Sequence, residues 1–582
     1  MKSYEAPVED MCFVLEAAGG LDRIAERSGE AGCSPELARR ILTEAGRFGA
    51  DVLAPLNAPG DRQGARLDNG AVHTPDGFAD AYRRFVDSGW NSISADPAWS
   101  GQGLPSLLGT AVAEIWASAN LAFSLGPTLT QSAIALLGAH ASADQARRFL
   151  PKLVSGEWTA TMALTEPQAG SDLSAVRARA VPDGDGFRLH GQKIFTSYGD
   201  HDWTANIVHL VLARLPDAPP GIKGISLFLV PKFLIGADGT PGPRNDVRCI
   251  ALEGKLGLHA SPTAVMAFGE NEGAIGELIG PPHQGLAYMF VMMNAARLAI
   301  GLQGVAIAER AFQLARAYAR ERLQGRGPDG APTAIVEHGD VRRMLLSMKA
   351  KTEAARALTY YVAGQSDLSR RLGDRIARQR CRDRVELLTP VVKAWCSDIG
   401  IEVADTGIQV HGGAGYIETT GAAQLWRDGR IAAIYEGTNG IQARDLVGRK
   451  VRRDGGLAAR AFIADAREDL WALRPSAAEA VLARPAERAL ERLETATNWL
   501  TDRTEEAPAL AVAAPYLRLM GTAAAGWLSA RVGILADRRG GLAGQVAAAR
   551  FFADHVVGDS DGLARIVMTG APAILETAPD LF

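Results

Sequence analysis

The octet Tyr435-Glu436-Gly437-Thr438-Asn439-Gly440-Ile441-Gln442 decides how the rest of this sequence is interpreted. An apolar run, residues 431–434, precedes Glu436, and small residues follow it, so other groups can approach the backbone beside this carboxylate. That presentation suits a side chain that takes a proton from a bound ligand. On its own, the octet is more often a surface turn at Asn439-Gly440 with a solvated Glu436. The rest of the chain decides between these two interpretations.

Length and composition describe an ordinary soluble globular protein with a large core. The chain has 582 residues, of which 47% are hydrophobic and 22% charged, enough for roughly three or four domains. The formal net charge is −4 and the pI about 6.3. This balance gives no electrostatic reason to expect nucleic acid or an anionic membrane as a partner.

Cysteine usage and the N-terminus favour a cytoplasmic location. The five cysteines are odd in number and contain no C-x-x-C pair, so neither a disulfide framework nor a zinc site is expected. The ten histidines form no cluster with metal-ligand spacing, and no metal is expected. The first residues include acidic side chains and lack the apolar segment of a signal peptide.

Residues 285–308 are nearly long enough to span a bilayer and carry a single charge, Arg297. Asn294 and Gln303 also lie in this segment, and charged residues continue the same helical pattern beyond it. An arginine in the middle of a span is costly in lipid. We therefore expect a helix buried in a bundle and no membrane span.

Hydrophobic periodicity divides the chain into four parts and predicts an α+β protein. Residues 1–155 predict an N-terminal helical domain, and residues 156–280, with short β-branched runs between Gly, Pro and Asp, predict a central antiparallel β domain. Residues 281–450 predict a C-terminal helical bundle, and residues 451–582 an extra all-helical module. No helices alternate with the strands, which disfavours a Rossmann arrangement.

Individual elements follow from the same patterns. The predicted N-terminal helices are 35–56, 78–88, 106–124 and 128–153. The predicted strands are 160–164, 187–190, 207–212, 225–230, 247–252 and 264–268. The predicted bundle helices are 283–327, with a bend at Gly301 or Gly304, then 341–364 and 372–409. Prolines 475, 485, 508 and 515 are expected to interrupt the last module.

Several widespread signatures of enzyme chemistry are missing from the sequence. It contains no G-x-G-x-x-G, no G-x-x-x-x-G-K-[ST] and no H-E-x-x-H, so nicotinamide, P-loop and zincin chemistry lack support. Residues 558–562 match G-x-S-x-G, but two carboxylates flank Ser560 and would oppose a developing oxyanion. A Gly/Asp turn is the better interpretation there.

Four further segments accompany the octet. They are Met162-Ala163-Leu164-Thr165-Glu166-Pro167-Gln168-Ala169-Gly170-Ser171-Asp172, Gly191-Gln192-Lys193-Ile194-Phe195-Thr196-Ser197-Tyr198-Gly199-Asp200, Tyr318-Ala319-Arg320-Glu321-Arg322-Leu323-Gln324-Gly325-Arg326 and Gln409-Val410-His411-Gly412-Gly413-Ala414-Gly415-Tyr416. In order and spacing the five segments resemble the motifs of the FAD-dependent acyl-CoA dehydrogenases, over residues 40–450. The long N-terminus and the added module resemble the C-terminally extended branch of that family. The resemblance implies a helical, β, helical fold that binds FAD.

The resemblance also assigns cofactor-binding residues. Met162, Leu164 and Thr165 would run along the flavin edge, with Ser171 in the same loop. Phe195 would cover one ring face, in place of the tryptophan common in the family, and Ser197 would stand where a threonine is usual. The remaining positions are Arg322 and Gln324 from one subunit, Gln409, Gly412 and Gly413 from another, and Thr438 and Gly440 on the ribityl-phosphate side. Because the cofactor site is shared, the resemblance implies a homo-oligomer, with a dimer expected.

The resemblance makes Glu436 the catalytic base. It would remove the α-proton of an acyl-CoA while flavin N5 takes the β-hydride, giving a trans-2-enoyl-CoA. The thioester carbonyl would accept a hydrogen bond from the Glu436 backbone N–H, and burial would raise the carboxyl pKa. Some relatives place the base on the long helix, where this chain has Ala296. Ser171, Asn294, Arg297 and Gly437 would contact or support the substrate.

Three functional alternatives remain open at this point. The first is a dehydrogenase of fatty acid and lipid metabolism that passes electrons to an electron-transfer flavoprotein. Its substrate would be a methylthio-substituted propionyl-CoA or a short-to-long fatty acyl-CoA. The second is an acyl-CoA oxidase of the same fold. The third is a non-catalytic flavin-binding relative associated with stress or nucleic acid, disfavoured because Glu436 is present. Residues 451–582 could also serve as an interaction module, although a cover for the bundle or an element that supports the dimer is the more common role.

Overall fold

The computed structural model describes residues 4–27, 34–236, 238–328 and 330–582. These residues form two compact units. The helical unit contains residues 1–47, 105–118 and 297–582, and the sheet unit contains residues 48–104 and 119–296.

The N-terminal part of the chain is helical, as predicted, and contains one short hairpin that was not predicted. Its helices are α1 (Val8–Val14), α2 (Leu21–Arg27), α3 (Pro35–Phe48), α4 (Ala54–Gln63), α5 (Phe78–Asp87), α6 (Ser106–Ala119), α7 (Leu121–His140) and α8 (Ala143–Ser155). The hairpin strands are β1 (Arg66–Asp68) and β2 (Ala71–His73), paired antiparallel.

The prediction of one helix over residues 128–153 is wrong, because two caps divide this apolar region differently. Asn120 caps α7 by accepting a hydrogen bond from the Phe123 N–H, so α7 begins well before residue 128. Ser142 and Gln145 form a reciprocal capping box that starts α8. Capping side chains satisfy the free N–H groups at a helix start, and they set boundaries that apolar spacing does not reveal.

A central eight-stranded sheet fills the middle of the chain and includes all six predicted strands. Its strands lie in the order β10, β11, β5, β12, β7, β6, β3, with β4 paired to β5. The strands are β3 (Trp158–Ala163), β4 (Arg179–Asp183), β5 (Gly186–Ser197), β6 (Asn206–Arg214), β7 (Ile225–Pro231), β10 (Val247–Leu252), β11 (Thr263–Phe268) and β12 (Ala274–Leu278), and the small hairpin β8 (Phe233–Ile235) and β9 (Pro241–Arg244) lies apart from it.

The sheet is mixed, whereas the sequence predicted antiparallel strands. β3 runs parallel to β6, with Trp158 opposite Asn206 and Ala163 opposite Val211, and one further parallel pair joins β4 to β6. β4 and β5 lie between β3 and β6 along the chain, and this long connection allows parallel pairing. β6 and β7 are buried along almost their whole length, which explains their continuous apolar sequences.

The helical unit is built on three long helices and a C-terminal module, as predicted. The long helices are α9 (Gly285–Glu321), α10 (Gly339–Arg371) and α11 (Arg375–His411), and a hairpin of β13 (Leu323–Arg326) and β14 (Pro332–Ala334) follows α9. Two short helices come next, α12 (Ala422–Gly429) and α13 (Asn439–Asp445). The module contains α14 (Leu457–Ala472), α15 (Ala480–Thr501), α16 (Glu506–Ala511), α17 (Ala513–Arg539), α18 (Ala543–His555), α19 (Asp559–Thr569) and α20 (Ala571–Leu575).

Glycines bring α9 and α11 into close contact. A Cβ on Gly304 would lie 2.1 Å from the Cys396 carbonyl oxygen, and one on Gly400 would lie 2.6 Å from the Gly304 carbonyl oxygen. The helix α9 continues through Gly301 and Gly304, and the bend expected at one of them stays a prediction. The glycines therefore serve helix packing, and they bring the functional side chains of α9 and α11 together.

The C-terminal module packs on the bundle, and α17 contacts α10, α11 and α13. Gly521 of α17 lies against the Trp395 ring, where an added Cβ would be 2.4 Å from the ring. The module is interrupted near three of the four expected prolines, because Pro475 lies between α14 and α15, and Pro508 and Pro515 lie in the first turns of α16 and α17. Pro485 lies within α15.

Within the described ranges, three helices are long and apolar enough to cross a membrane by length and composition: Leu121–His140, Gly285–Glu321 and Ala513–Arg539. In each, most of the apolar window is buried inside the protein. Core packing thus accounts for their composition, and the expected absence of a membrane span stays a prediction.

The sheet unit contains a buried histidine that makes stability depend on pH. Neither ring nitrogen of His209 has a hydrogen-bond partner within the described chain. Burial, with Lys232 and Arg244 nearby, lowers its pKa from 6.5 to about 3. The unfolded chain binds this proton at a higher pH than the folded one, so stability is lost as the pH falls from 6.5 towards 3.

We expect His209→Leu to make thermal stability less dependent on pH in that window, because the buried apolar replacement neither titrates nor leaves a polar atom unbonded. The measurement is the melting temperature from pH 7.5 to pH 4. Leu210→Met, an exchange of two apolar side chains at a buried position of the same strand, is the matched control and should leave the pH dependence as in the wild type. An unchanged acid dependence in His209→Leu would contradict this account.

Candidate active site

Glu436 lies in a strained turn between α12 and α13. Its φ is +55° and that of Gly437 is +85°, so two consecutive residues occupy the left-handed region. This conformation costs a non-glycine residue roughly 1–2 kcal/mol and persists only where the surroundings enforce it. Strain of this kind is concentrated at functional sites, which makes Glu436 a candidate that the sequence also selected.

Hydrogen bonds on both sides hold the turn in place. The Tyr435 hydroxyl donates to Oε1 of Gln303, which lies on α9. After the turn, the Thr438 side chain caps α13 by accepting a hydrogen bond from the Ile441 N–H at 3.2 Å. The Gln442 amide donates to the carbonyl oxygens of Glu436 and Gly437, both at 3.2 Å. The backbone around Glu436 is therefore fixed from α9 and from α13.

The Glu436 carboxyl group is enclosed. The residue as a whole is half-buried, but its Oε2 is shielded from solvent and has no hydrogen-bond partner among the described residues. Burial raises the pKa of Glu436 from 4.5 to about 7, and the positive charges of Arg297 and Lys393 oppose that rise. A carboxyl group with such a pKa is about half ionised at neutral pH, and its ionised form is basic enough to accept a proton.

Arg297 and Asn294, both predicted near the substrate, lie one turn apart on α9 but differ in exposure. Arg297 is buried, which lowers its pKa, while Asp445 and Glu436 act in the opposite direction. Asn294 is exposed. The charges of Arg297 and Glu436 interact, and the role of Arg297 at the substrate end stays a prediction.

The backbone N–H groups of Glu436 and Gly437 are available to a ligand. Neither donates a hydrogen bond to any atom of the described residues. A backbone N–H beside a carboxylate base can polarise the carbonyl group of the carbon acid that the base deprotonates. Glu436 therefore presents a proton acceptor and a hydrogen-bond donor from one residue.

In the sheet unit, the predicted flavin-edge residues lie at two adjoining strand ends. The Thr161 hydroxyl donates to the Ser197 carbonyl oxygen at 2.7 Å, and the Ile194 N–H donates to the Thr165 carbonyl oxygen at 2.9 Å. These bonds join the end of β3 to the end of β5. Met162, Leu164 and Thr165 are therefore brought together with Phe195 and Ser197.

Phe195 is an exposed aromatic residue in a strained conformation. Its side chain is 60% exposed and its φ is +57°. It lies at a β-bulge, where two residues of β5, Ile194 and Phe195, face one residue of β11. A bulge re-aims a side chain out of the regular alternation of a strand. A projecting ring of this kind fits the predicted role of covering a flat ligand.

Lys193 and Glu166 hold the loop beside Phe195, and sequence reasoning missed them. The fully buried Lys193 ammonium donates to Glu166 Oε1 at 2.7 Å and to the Leu164 carbonyl oxygen at 3.0 Å. The carboxylate also accepts hydrogen bonds from the N–H groups of Arg177 and Ala178. Ser171 lies exposed in the same loop. No sequence pattern marked this pair, because a lysine on a strand is usually solvated.

The predicted phosphate and adenine residues lie at two helix ends. Arg322 and Gln324 follow α9, whereas Gln409, Gly412 and Gly413 end α11, and all five are exposed. The rings of Tyr318 and His411 pack with centroids 4.5 Å apart, which places the two ends together in one chain. Thr438 and Gly440 lie at the start of α13.

Lys393, on α11, is a second residue that sequence reasoning missed. It is fully buried and donates to Oδ1 of Asn439 at 2.8 Å. A signal was present, since Lys393 interrupts the apolar segment 387–396. Among the described residues, no group of three or more His, Cys, Asp or Glu side chains could hold a metal ion.

Family models match most of the chain. They are "Acyl-CoA dehydrogenase, N-terminal domain" over residues 35–157, "middle domain" over 161–270 and "C-terminal domain" over 283–451. A fourth, "Acetyl-CoA dehydrogenase C-terminal like", matches residues 458–578. The chain belongs to the acyl-CoA dehydrogenase family and is an oxidoreductase, and FAD is the cofactor that this membership indicates.

Individual relatives agree with this assignment. The chain is 46% identical over 570 residues to the 3-methylmercaptopropionyl-CoA dehydrogenase of Ruegeria pomeroyi, covering 95% of this chain and 96% of that protein. It is 39% identical over 413 residues to a butyryl-CoA dehydrogenase of Syntrophomonas wolfei, covering 69% of this chain and 68% of that protein. The crystal structure of Caenorhabditis elegans ACDH-11 in complex with C11-CoA has the same fold, with a TM-score of 0.75 and 21% identity over 95% of this chain and 92% of that one.

These comparisons confirm the predicted family and the predicted four-part fold. The resemblance to the extended branch is also confirmed, because the similarity to the Ruegeria protein includes the C-terminal module. The roles of individual residues stay predictions.

We expect Gly437→Ala to damage the turn that carries Glu436. A Cβ at this position would lie 2.8 Å from the Gln442 side-chain nitrogen and would also be strained at φ +85°. The expected cost is about 1–2 kcal/mol of stability, measured as a lower midpoint of chemical unfolding. Gly448→Ala is the matched control, because the nearest atoms to its Cβ are 3.8 Å away. Equal midpoints for the two variants would contradict the described turn.

Proposed function

We propose that this protein catalyses the α,β-dehydrogenation of an acyl-CoA thioester to a trans-2-enoyl-CoA, with Glu436 as the base. The observation that carries the proposal is the enclosed Glu436 carboxyl group, with a pKa near 7 and no hydrogen-bond partner for Oε2 among the described residues. An enclosed carboxylate without a partner is costly for a fold, so a functional reason for retaining it is expected.

In the proposed proton transfer, both the side chain and the backbone N–H of Glu436 take part. The ionised carboxylate takes the α-proton, and the backbone N–H donates a hydrogen bond to the thioester carbonyl oxygen as negative charge develops there. Arg297 and Lys393 stabilise the ionised form and so oppose the effect of burial. The balance between burial and these two charges keeps the base partly ionised at neutral pH without making it weak.

Several side chains of this protein fit the predicted cofactor. FAD, when bound, supplies the acceptor for the hydride that leaves the β-carbon as the C=C bond forms. We assign Phe195 to a flavin ring face because it is exposed and strained, with Met162, Leu164, Thr165 and Ser197 along the same strand ends. Thr438 and Gly440 are assigned to the ribityl-phosphate side, and the exposed residues Arg322, Gln324, Gln409, Gly412 and Gly413 to the pyrophosphate and adenine of a dimer.

Two substrate classes are supported by the relatives. The similarity to 3-methylmercaptopropionyl-CoA dehydrogenase covers nearly the whole chain and supports a methylthio-substituted propionyl-CoA. The similarity to butyryl-CoA dehydrogenase is lower and partial, and supports a short straight-chain acyl-CoA. We propose the methylthio substrate first. Ser171, Asn294, Arg297 and Gly437 are the residues assigned to the substrate end.

Electron-transfer flavoprotein is the proposed electron acceptor, because both of these relatives are dehydrogenases by name. An oxidase reaction is the alternative. The cytoplasm is the proposed location, since Cys12, Cys249, Cys381 and Cys396 are buried free thiols. A nucleic-acid role has no support from the negative net charge.

To identify the electron acceptor, the enzyme is reduced with acyl-CoA, and its rate of reoxidation is then measured with oxygen and with electron-transfer flavoprotein separately. We expect fast reoxidation by the flavoprotein and slow reoxidation by oxygen. Stoichiometric peroxide formation at a rate that matches turnover would assign the chain to the oxidases instead.

Glu436→Gln tests the proposed base. An amide cannot accept the α-proton, so we expect anaerobic flavin bleaching by the acyl-CoA panel to slow about 100- to 10,000-fold. Glu402→Gln, an exposed carboxylate paired with Lys351 on the same unit, is the control and should bleach at the wild-type rate. Bleaching of Glu436→Gln at the wild-type rate would remove Glu436 from the mechanism.

The rate of flavin reduction should increase with pH. The base works only when ionised, and its pKa in the free enzyme is about 7. We therefore expect kcat/KM for flavin reduction to rise with pH through about 7 and to fall away below it. A limb centred near pH 4.5, the ordinary value for a glutamate, would indicate that Glu436 is solvated.

A further inference from the structure

We propose that Lys393 is a positioning residue for the base, and that it acts by clamping Asn439 and so fixing the segment that carries Glu436. This inference deepens the proposed function and rests on it for its meaning in catalysis. Its geometry stands independently of that function.

The clamp is built from one bond to the buried Lys393 side chain and three supporting bonds. The Lys393 ammonium donates to Oδ1 of Asn439 at 2.8 Å. The Asn439 side-chain nitrogen donates to the Asp398 carboxylate at 2.7 Å, to the Ser397 hydroxyl at 3.0 Å and to the Ala394 carbonyl oxygen at 3.2 Å. All four partners of Asn439 lie on α11. The side chain at the first position of α13 is thus tied to a single long helix.

The position of Asn439 gives the clamp its effect. It follows Thr438, whose side chain caps α13, and it lies three residues after Glu436. Because Glu436 and Gly437 are both in the left-handed region, the turn needs a rigid anchor on its C-terminal side. The Tyr435 bond to Gln303 provides the anchor on the N-terminal side. The bonds between Asn439 and α11 provide the anchor on the C-terminal side.

A lysine is a costly choice for a purely structural bond. Burial of an ammonium group requires compensation by nearby charges and hydrogen bonds, and an apolar residue would pack into the same segment of α11 without that cost. Lys393 bonds to an amide oxygen, while its charge acts on Glu436 through space. The same side chain therefore holds the segment and stabilises the ionised carboxylate.

The charges around Lys393 determine how the loss of its ammonium group would change the pKa of Glu436. Arg297 from α9 and Lys393 from α11 face Glu436. Asp398, Glu436 and Arg297 act on Lys393, and Arg518 of α17 and Arg430 act on Asp398. Loss of the Lys393 charge leaves Arg297 as the remaining cation near the base. The pKa of Glu436 should then rise, and the ascending limb of the pH profile should move to higher pH.

The test is a double-mutant cycle with Lys393→Met and Asn439→Ala, on the FAD-loaded enzyme. The first readout is amide hydrogen exchange of Ile441 and Gln442, whose N–H groups bond to Thr438 in the anchored segment. We expect exchange to be about 5- to 30-fold faster in each single variant, as for the loss of one or two kcal/mol of local stability. If Lys393 acts through Asn439, the double variant exchanges no faster than Asn439→Ala alone, which already lacks every bond of this side chain.

The second readout is the pH profile of flavin reduction. Lys393→Met should shift the ascending limb upward, which a merely structural role would not do. Lys393→Gln keeps a hydrogen-bond donor but loses the positive charge. The ascending limb of its pH profile should therefore shift, while amide exchange at Ile441 and Gln442 stays closer to the wild-type rate. Lys351→Met, which removes a lysine paired with Glu402 on the same unit, is the control and should change neither readout.

The outcomes separate this inference from the proposed function. Wild-type exchange in Lys393→Met and in Asn439→Ala, or additive effects in the double variant, would overturn the clamp whatever the activity. If the wild type is not reduced by any acyl-CoA while both variants exchange faster, the clamp stands and the proposed function fails. Asn439→Ala breaks the same bond from the other side, so the test of the clamp does not depend on whether Lys393→Met folds.

Discussion

The site depends on one electrostatic constraint, a carboxyl oxygen that is kept away from water and is given no hydrogen-bond donor by the described protein. Burial alone would drive the Glu436 pKa far upward and make the carboxyl group neutral at pH 7. Two buried cations, Arg297 and Lys393, oppose this and leave the pKa near 7. The group is consequently ionised in part at neutral pH and still a competent base.

The helical unit is arranged so that these charges meet. Close glycine contacts let α9 and α11 approach each other, which brings Arg297 and Gln303 from one helix and Lys393 from the other to the same short segment. The C-terminal module takes part as well, because α17 packs on α11 and α13 and places Arg518 near Asp398. The module therefore supports the helices that carry the site, whatever further role it has.

The sequence predicted the family, the four-part fold and all six of the strands that it named. It selected Glu436 because the five segments together resemble the motifs of the family, and it placed Phe195 and Ser197 at a strand end, where they lie. It could not reveal the parallel pairing of β3 with β6, since pairing direction depends on how distant segments meet. Helix boundaries failed at 106–124, where Asn120 caps α7, and at 128–153, where Ser142 caps α8.

The missed site residues share a physical cause. Lys193, Glu166 and Lys393 are charged groups whose roles arise from burial and from partners distant in sequence, and these properties appear only in the folded chain. The left-handed conformation of Phe195 and Glu436 was hidden for the same reason, because neither residue type favours it. A charged residue within an otherwise apolar helical segment, as at Lys393, was the one available signal.

The most direct test of the central claim is the titration of Glu436 itself. The carboxyl C=O stretch of the protonated side chain can be followed by difference infrared spectroscopy between the wild type and Glu436→Gln, from pH 4 to pH 9. We predict a carboxyl signal that is lost with a midpoint near 7. A midpoint near 4.5, or no signal that Glu436→Gln removes, would mean that the carboxylate is in contact with water and would contradict the account.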